Sequence, residues 1–113
     1  MRSDPIPAVT LINVFTTAPE NQEKLIALLT AATKATVSRA PGFEGAELYR
    51  SLDGTKVTMH ARWRSAADYE EMRRSSGAND TLAAAMAIAT FAPGMYELEN
   101  TFPPYGDAQE DGD

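Results

Sequence analysis

Residues 43–69, FEGAELYRSLDGTKVTMHARWRSAADY, decide the fold. The stretch reads as a strand, a tight turn, a second strand and the start of a helix. Asp53-Gly54 is the expected two-residue hairpin loop, because such loops need φ > 0 at their centre and Asp-Gly supplies it at low cost. Counting outward pairs Leu52 with Thr55, Arg50 with Val57, Leu48 with Met59, Ala46 with Ala61 and Glu44 with Trp63. Side chains alternate across a strand, so these pairs share one face. That face, with Leu48, Met59, Ala46, Ala61, Val57 and Trp63, is the expected buried one. The other face holds Tyr49, Thr58, Glu47, His60, Gly45 and Arg62. Ser65 followed by Asp68 has the spacing of a capping box, which starts a helix at about Ala66 and brings Tyr69 over Trp63.

The chain has 113 residues, the size of one domain. It has no cysteine, which excludes disulfides and thiolate metal sites. The net charge of −6 argues against a nucleic-acid partner. Four acids (Asp107, Glu110, Asp111, Asp113) lie in the last seven residues, and without them the charge is −2. No apolar run is long enough to span a membrane and no signal core opens the chain, so a cytoplasmic protein is expected.

Residues 1–7 read as a lead-in, residues 8–102 as one domain, and residues 103–113 as an acidic, disordered tail. Ala8 to Thr17 is strand-like, with Val9, Leu11, Asn13 and Phe15 on one face and Thr10, Ile12, Val14 and Thr16 on the other. Neither face is clearly solvated, which suits a central strand. Pro19 opens a helix whose apolar stripe is Leu25, Leu28, Leu29, Ala32, Ala35 and Thr36, ending before Pro41-Gly42. After the helix at Ser65, Asn79 or Asp80 caps a further expected helix through Phe91, with Leu82, Met86 and Thr90 along one side. Pro93-Gly94 ends it, and Met95 to Phe102 is the expected last strand. The order is β-α-β-β-α-α-β. This is the ferredoxin-like, split βαβ arrangement of the α+β class: a four-stranded antiparallel sheet with helices on one face. The bare face, with Tyr49, Thr58, Ile12 and Val14, calls for a cover, and a second copy of the chain is the expected one.

No Gly-rich phosphate loop and no nucleophile-elbow sequence occurs. His60 is the only histidine. It is either a general base or a sheet-face residue paired with Glu47, and the register favours the pair. Trp63 is either core or a flat wall for an aromatic ligand. Asn13 is the most diagnostic residue, because an amide on an otherwise apolar face needs a partner. That partner is nearby backbone, an ordered water or a ligand oxygen. Tyr69 either covers the helix–sheet seam or donates a hydrogen bond to a ligand. Trp63, Asn13 and Tyr69 are expected on one cavity, with Phe15, Met59, Leu82 and Met86 as apolar substrate-binding wall. Ala83-Ala84-Ala85 leaves space there.

The pattern resembles the antibiotic biosynthesis monooxygenase (ABM) domain over roughly Val9 to Phe102. The resemblance rests on Asn13 in the opening strand, the Ala40-Pro41-Gly42-Phe43 segment, the hairpin, and the run Arg62-Trp63-Arg64-Ser65-Ala66-Ala67-Asp68-Tyr69. It implies a ferredoxin-like subunit that dimerises sheet to sheet into an α/β barrel, with a ligand between sheet and helices. It also implies a monooxygenase without metal or organic cofactor, with O₂ as co-substrate, oxidising an aromatic polyketide phenol or anthrone to a quinone. Asn13, Trp63 and Tyr69 would be its catalytic residues. In the polyketide branch an asparagine commonly sits four residues before the tryptophan, where this chain has Met59. In the haem-degrading branch a histidine follows about ten residues after the tryptophan, where this chain has Arg73. Non-oxidative cyclisation or isomerisation in the same pocket is the alternative activity, and a non-catalytic ligand-binding dimer the alternative class.

Overall fold

Four strands build the sheet: β1 (Val9–Thr17), β2 (Phe43–Arg50), β3 (Lys56–Trp63) and β4 (Ala89–Tyr96). The structure, a computed structural model, describes residues 8–75, 80 and 83–105. All three pairings are antiparallel, in the order β2-β3-β1-β4. Helix α1 (Gln22–Ala35) connects β1 to β2, and α2 (Ala66–Arg73) follows β3. The fold is the ferredoxin-like one that the hairpin and element order predicted.

β1 is central because its Val9, Leu11 and Phe15 side can be buried while its ladder groups pair on both edges. A single turn of 3-10 helix, Pro19–Asn21, leads into α1. Leu25 and Leu29 of the predicted stripe are buried on the sheet. Gln22, only 6% exposed, donates from Nε2 to the carbonyls of Ser51 (3.1 Å) and Lys56 (3.0 Å). It thereby ties the start of α1 to the far end of the hairpin.

The hairpin register holds for Glu47 opposite His60, Leu48 opposite Met59 and Ala46 opposite Ala61. Two details differ from expectation. The loop is not a two-residue Asp53-Gly54 turn. Ser51 and Lys56 close it through a backbone bond of 3.0 Å, and Leu52 and Thr55 belong to the loop. Within the loop only Gly54 has positive φ, at 82°. The Gly54 N–H donates to the Ser51 carbonyl, and Asp53 Oδ1 accepts from the Ser51 hydroxyl and from both N–H and hydroxyl of Thr55. The side chain of Asp53 thus builds the turn that its backbone does not. At the other end a bulge sets Phe43, not Glu44, opposite Trp63. Gly45, with φ of 130°, absorbs it.

The largest correction concerns the last strand. Residues 83–86 are helical, as expected, but the chain turns at Ala87 and Ile88, and β4 starts at Ala89 rather than Met95. Leu98 and Phe102 lie beyond it and are exposed. Pro93 is therefore inside a strand. β4 is an edge strand, where the missing N–H of proline faces no partner. Phe91 faces inward and stacks on Phe15 at 5.9 Å, which anchors this segment to the sheet. Asn79 and Leu82 lie outside the described residues.

Candidate active site

The buried core is divided. One cluster holds Leu11, Ala61, Trp63 and Met72; the other holds Phe15, Leu25, Leu29, Val57 and Ala85. The sheet explains the division. Leu11 faces Ala61 and Met95 across its two ladders, and Phe15 faces Val57 and Phe91. Between those rows lies Asn13, flanked by Met59 on β3 and Pro93 on β4. A cavity of about 460 Å³ extends over this face, between the sheet and the helices. Its size is that of a small-molecule site.

The walls are mainly apolar. Leu11, Phe15, Met59, Ala61 and Trp63 come from β1 and β3, Leu29, Ala32 and Thr33 from α1, and Thr36 from the cap that follows it. Ala85, Phe91, Pro93 and Met95 close one side. Tyr69, Glu70, Met72 and Arg73 enter from α2. The Thr33 hydroxyl is already used, donating to the Leu29 carbonyl at 2.7 Å. Asn13 Oδ1 and Trp63 Nε1 are buried without a hydrogen-bond partner. Buried polar atoms normally have one.

Trp63 is held at its place by the corner that follows β3. Ser65 caps α2, accepting from the Asp68 N–H at 3.2 Å and donating to its carboxylate at 3.0 Å. Arg64 clamps the same carboxylate through Nε (2.8 Å) and a second nitrogen (2.9 Å). This bidentate pair, with help from Ser65, holds the Asp68 carboxyl below its ordinary pKa, and Asp68 in turn raises that of Arg64. Gly42, with φ of 88°, presses its backbone against Asp68, where a Cβ would collide with the carboxylate. The Gly42 carbonyl also accepts from the Arg64 N–H at 2.7 Å. The Pro41-Gly42-Phe43 and Trp63-Arg64-Ser65 elements thus form one interlocked corner. Trp63 is fully enclosed, with Phe43 and Tyr69 packed edge-on at 5.4 and 5.7 Å. It offers no open face for stacking. What it directs at its surroundings is an unpartnered indole N–H.

Of the residues expected on the cavity, Asn13, Trp63, Tyr69, Phe15 and Met59 line it together. Met86 does not, being 54% exposed, and its neighbour Ala85 takes the inward position. Leu82 is outside the described residues. His60 lies on the opposite sheet face, with Nδ1 3.4 Å from Glu47, which also takes a 2.7 Å hydrogen bond from Arg62. Arg62, then His60, lower the pKa of Glu47. Arg73, which the sequence marked only as standing where the haem-degrading branch has a histidine, is also a cavity residue. Burial raises the pKa of the Tyr69 hydroxyl, while the positive charge of Arg73 opposes that rise. Among the described residues no group of three or more acids or histidines is placed to hold a metal ion, and no helix is long and apolar enough to cross a membrane.

A ferredoxin-like sheet with an apolar cavity under its helices, holding a few buried polar groups, makes an α+β domain with room for a small molecule. The family model described as antibiotic biosynthesis monooxygenase matches residues 8–84, and the chain belongs to that family. A relative named tetracenomycin-F1 monooxygenase, from Streptomyces glaucescens, is 43% identical over 63 residues. That match covers 56% of this chain and 56% of the relative, so it spans about half of each protein. Among solved structures, SnoaB of Streptomyces nogalater, described as a cofactor-independent oxygenase, superposes with a TM-score of 0.71 at 26% identity. The superposition covers 86% of this chain and 98% of SnoaB. A protein of Mycobacterium tuberculosis is similar at a TM-score of 0.72 and 26% identity, over 85% of this chain and 99% of its own.

Proposed function

We propose that this chain is a monooxygenase that needs no metal or organic cofactor and oxidises an aromatic polyketide phenol or anthrone to a quinone. The observation that carries the proposal is Asn13. Its amide lies in the gap between two apolar clusters, with Oδ1 buried and unpartnered. A folded protein gains nothing from such a group, and a ligand that pairs with it does. The two Streptomyces relatives, named as oxygenases, support the same activity.

In the proposed reaction a proton leaves the substrate carbon and gives a delocalised carbanion. One electron passes to O₂, and the radical pair recombines to a carbon-bound hydroperoxide. Loss of water leaves the carbonyl of the quinone, so one CH₂ group and one O₂ become one C=O and one H₂O. The protein binds the substrate flat in a dry cavity and stabilises the charge on its ring oxygen. Asn13 through its amide N–H, the Trp63 N–H and the Tyr69 hydroxyl are the donors that do so, while Asn13 Oδ1 accepts from a substrate hydroxyl. Phe15 and Met59 supply apolar wall.

The proposed assembly is a homodimer in which two bare sheet faces meet. That face presents Tyr49 and Tyr96, both about half exposed, and the half-buried Ile12, Val14, Thr58 and His60. Glu47 and Arg62 lie at its edge as an ion pair. An apolar centre with a polar rim is the usual composition of such contacts.

The test is oxygen uptake with 1,8-dihydroxy-9-anthrone, with product mass read in parallel. A gain of one oxygen and loss of two hydrogens, with O₂ consumed, is expected. A product of unchanged mass without O₂ uptake overturns the oxygenase and supports non-oxidative cyclisation or isomerisation. Met59 is the observation that favours that second reading, because it leaves Asn13 without an amide neighbour across the ladder.

A further inference from the structure

We infer that Arg73 makes this cavity selective for aromatic substrates that carry an ionised acid group, best a carboxylate, at the α2 end. The inference rests on the ligand-binding reading of the cavity above and adds a substrate class to it.

Tyr69 and Arg73 are four residues apart on α2, so they share one helix face. Both line the cavity. Arg73 is the only basic side chain among the described residues that line it. It is half-buried, whereas its neighbour Arg74 is exposed and paired with Glu71 at 2.7 Å. A guanidinium beside apolar walls acts through less water than one on the surface, and its charge reaches further into the cavity. It carries five N–H donors in a planar fork. A carboxylate matches that fork in a bidentate pair.

Glu70 also lines the cavity but is solvent-exposed. For Tyr69 the influence of Arg73 exceeds that of Glu70, so the positive charge is the one felt at the hydroxyl. A substrate acid group at Arg73 would place the ring system along the row of Leu11 and Asn13. Arg73 is thus a positioning residue for the ring and a determinant of specificity.

The test compares two probes of equal ring size, 9-anthracenecarboxylate and 9-anthracenemethanol, by fluorescence titration under nitrogen at pH 7. The wild-type protein is expected to bind the carboxylate about 10- to 100-fold tighter, the scale of a charge-assisted hydrogen bond. Arg73→Met should abolish that preference, and Arg73→Lys should retain part of it. Affinity for the alcohol should change less than about twofold in both. Arg74→Met, which removes the same charge one residue away, should keep the preference in full. Equal affinity for the two probes in the wild type, a preference that survives Arg73→Met, or no binding of either probe overturns the inference. Binding is measured without O₂, so its failure is separable from a failure of the oxygenase activity.

Discussion

Asn13 stands directly opposite Met59 across the β1–β3 ladder, and its Oδ1 is buried with no hydrogen-bond partner. On its other side Pro93 offers no donor. The amide is therefore a cost to the free fold. Asn13→Leu should remove that cost and stabilise the protein by about 1–2 kcal/mol while destroying turnover. Urea unfolding of the variant checks the first half of the statement. A loss of stability would mean that the amide is satisfied in the folded protein.

The corner between β3 and α2 predicts a coupled pair. Gly42→Ala meets both a positive φ and the Asp68 carboxylate, and should cost about 2–4 kcal/mol. Asp68→Ala in the same chain removes the carboxylate but leaves its own Cβ 2.6 Å from the added methyl, so it should recover only part of that cost, leaving this contact and the strain of the backbone. Additive losses in the double variant would show that the two residues do not press on each other.

Acid stability should depend on two carboxylates. Asp53 is held down to about 2 by the hydroxyl and N–H of Thr55 and by Ser51, and Asp68 is lowered chiefly by Arg64. A carboxyl whose pKa is lower folded than unfolded stabilises the fold fully above the ordinary value of 3.8. That contribution is lost as the pH falls through the folded pKa. Asp53→Asn and Asp68→Asn should therefore weaken the fold at pH 6 and flatten its pH dependence below pH 4. Parallel stability curves for variant and wild type would contradict this.

Ferredoxin-like order and hairpin parity were legible because Asp53-Gly54 sits between two alternating strands, and Ser65 with Asp68 marks the start of α2. The last strand was not legible. Ala83-Ala84-Ala85 continues a helical composition up to Ala87, and Pro93-Gly94 has the composition of a stop. Only the edge position of β4 makes Pro93 acceptable, and edge position is a property of the sheet, not of the local sequence. Asn13 was legible as a polar residue among Val9, Leu11 and Phe15. Arg73 was not, because an arginine beside Arg74 on a polar helix reads as solvated. The enclosure of Trp63 depends on Phe43 and Tyr69 meeting it from two other elements.

A dimer through the bare sheet face should be broken by a charge at its centre. Sedimentation at micromolar concentration should give two chains per particle for the wild type and one for Ile12→Glu. Ile12 lies on the face away from the cavity, opposite His60 and Gly94. A wild-type monomer at that concentration would refute the assembly.

The central claim is that the Asn13 amide stabilises the charge that develops on the substrate. Its most direct measurement is the turnover of Asn13→Ala by oxygen uptake with 1,8-dihydroxy-9-anthrone, at saturating substrate. The account predicts a kcat lower by roughly 10- to 1000-fold, the scale of one lost anion-stabilising donor, with folding intact. A kcat equal to that of the wild type would contradict it.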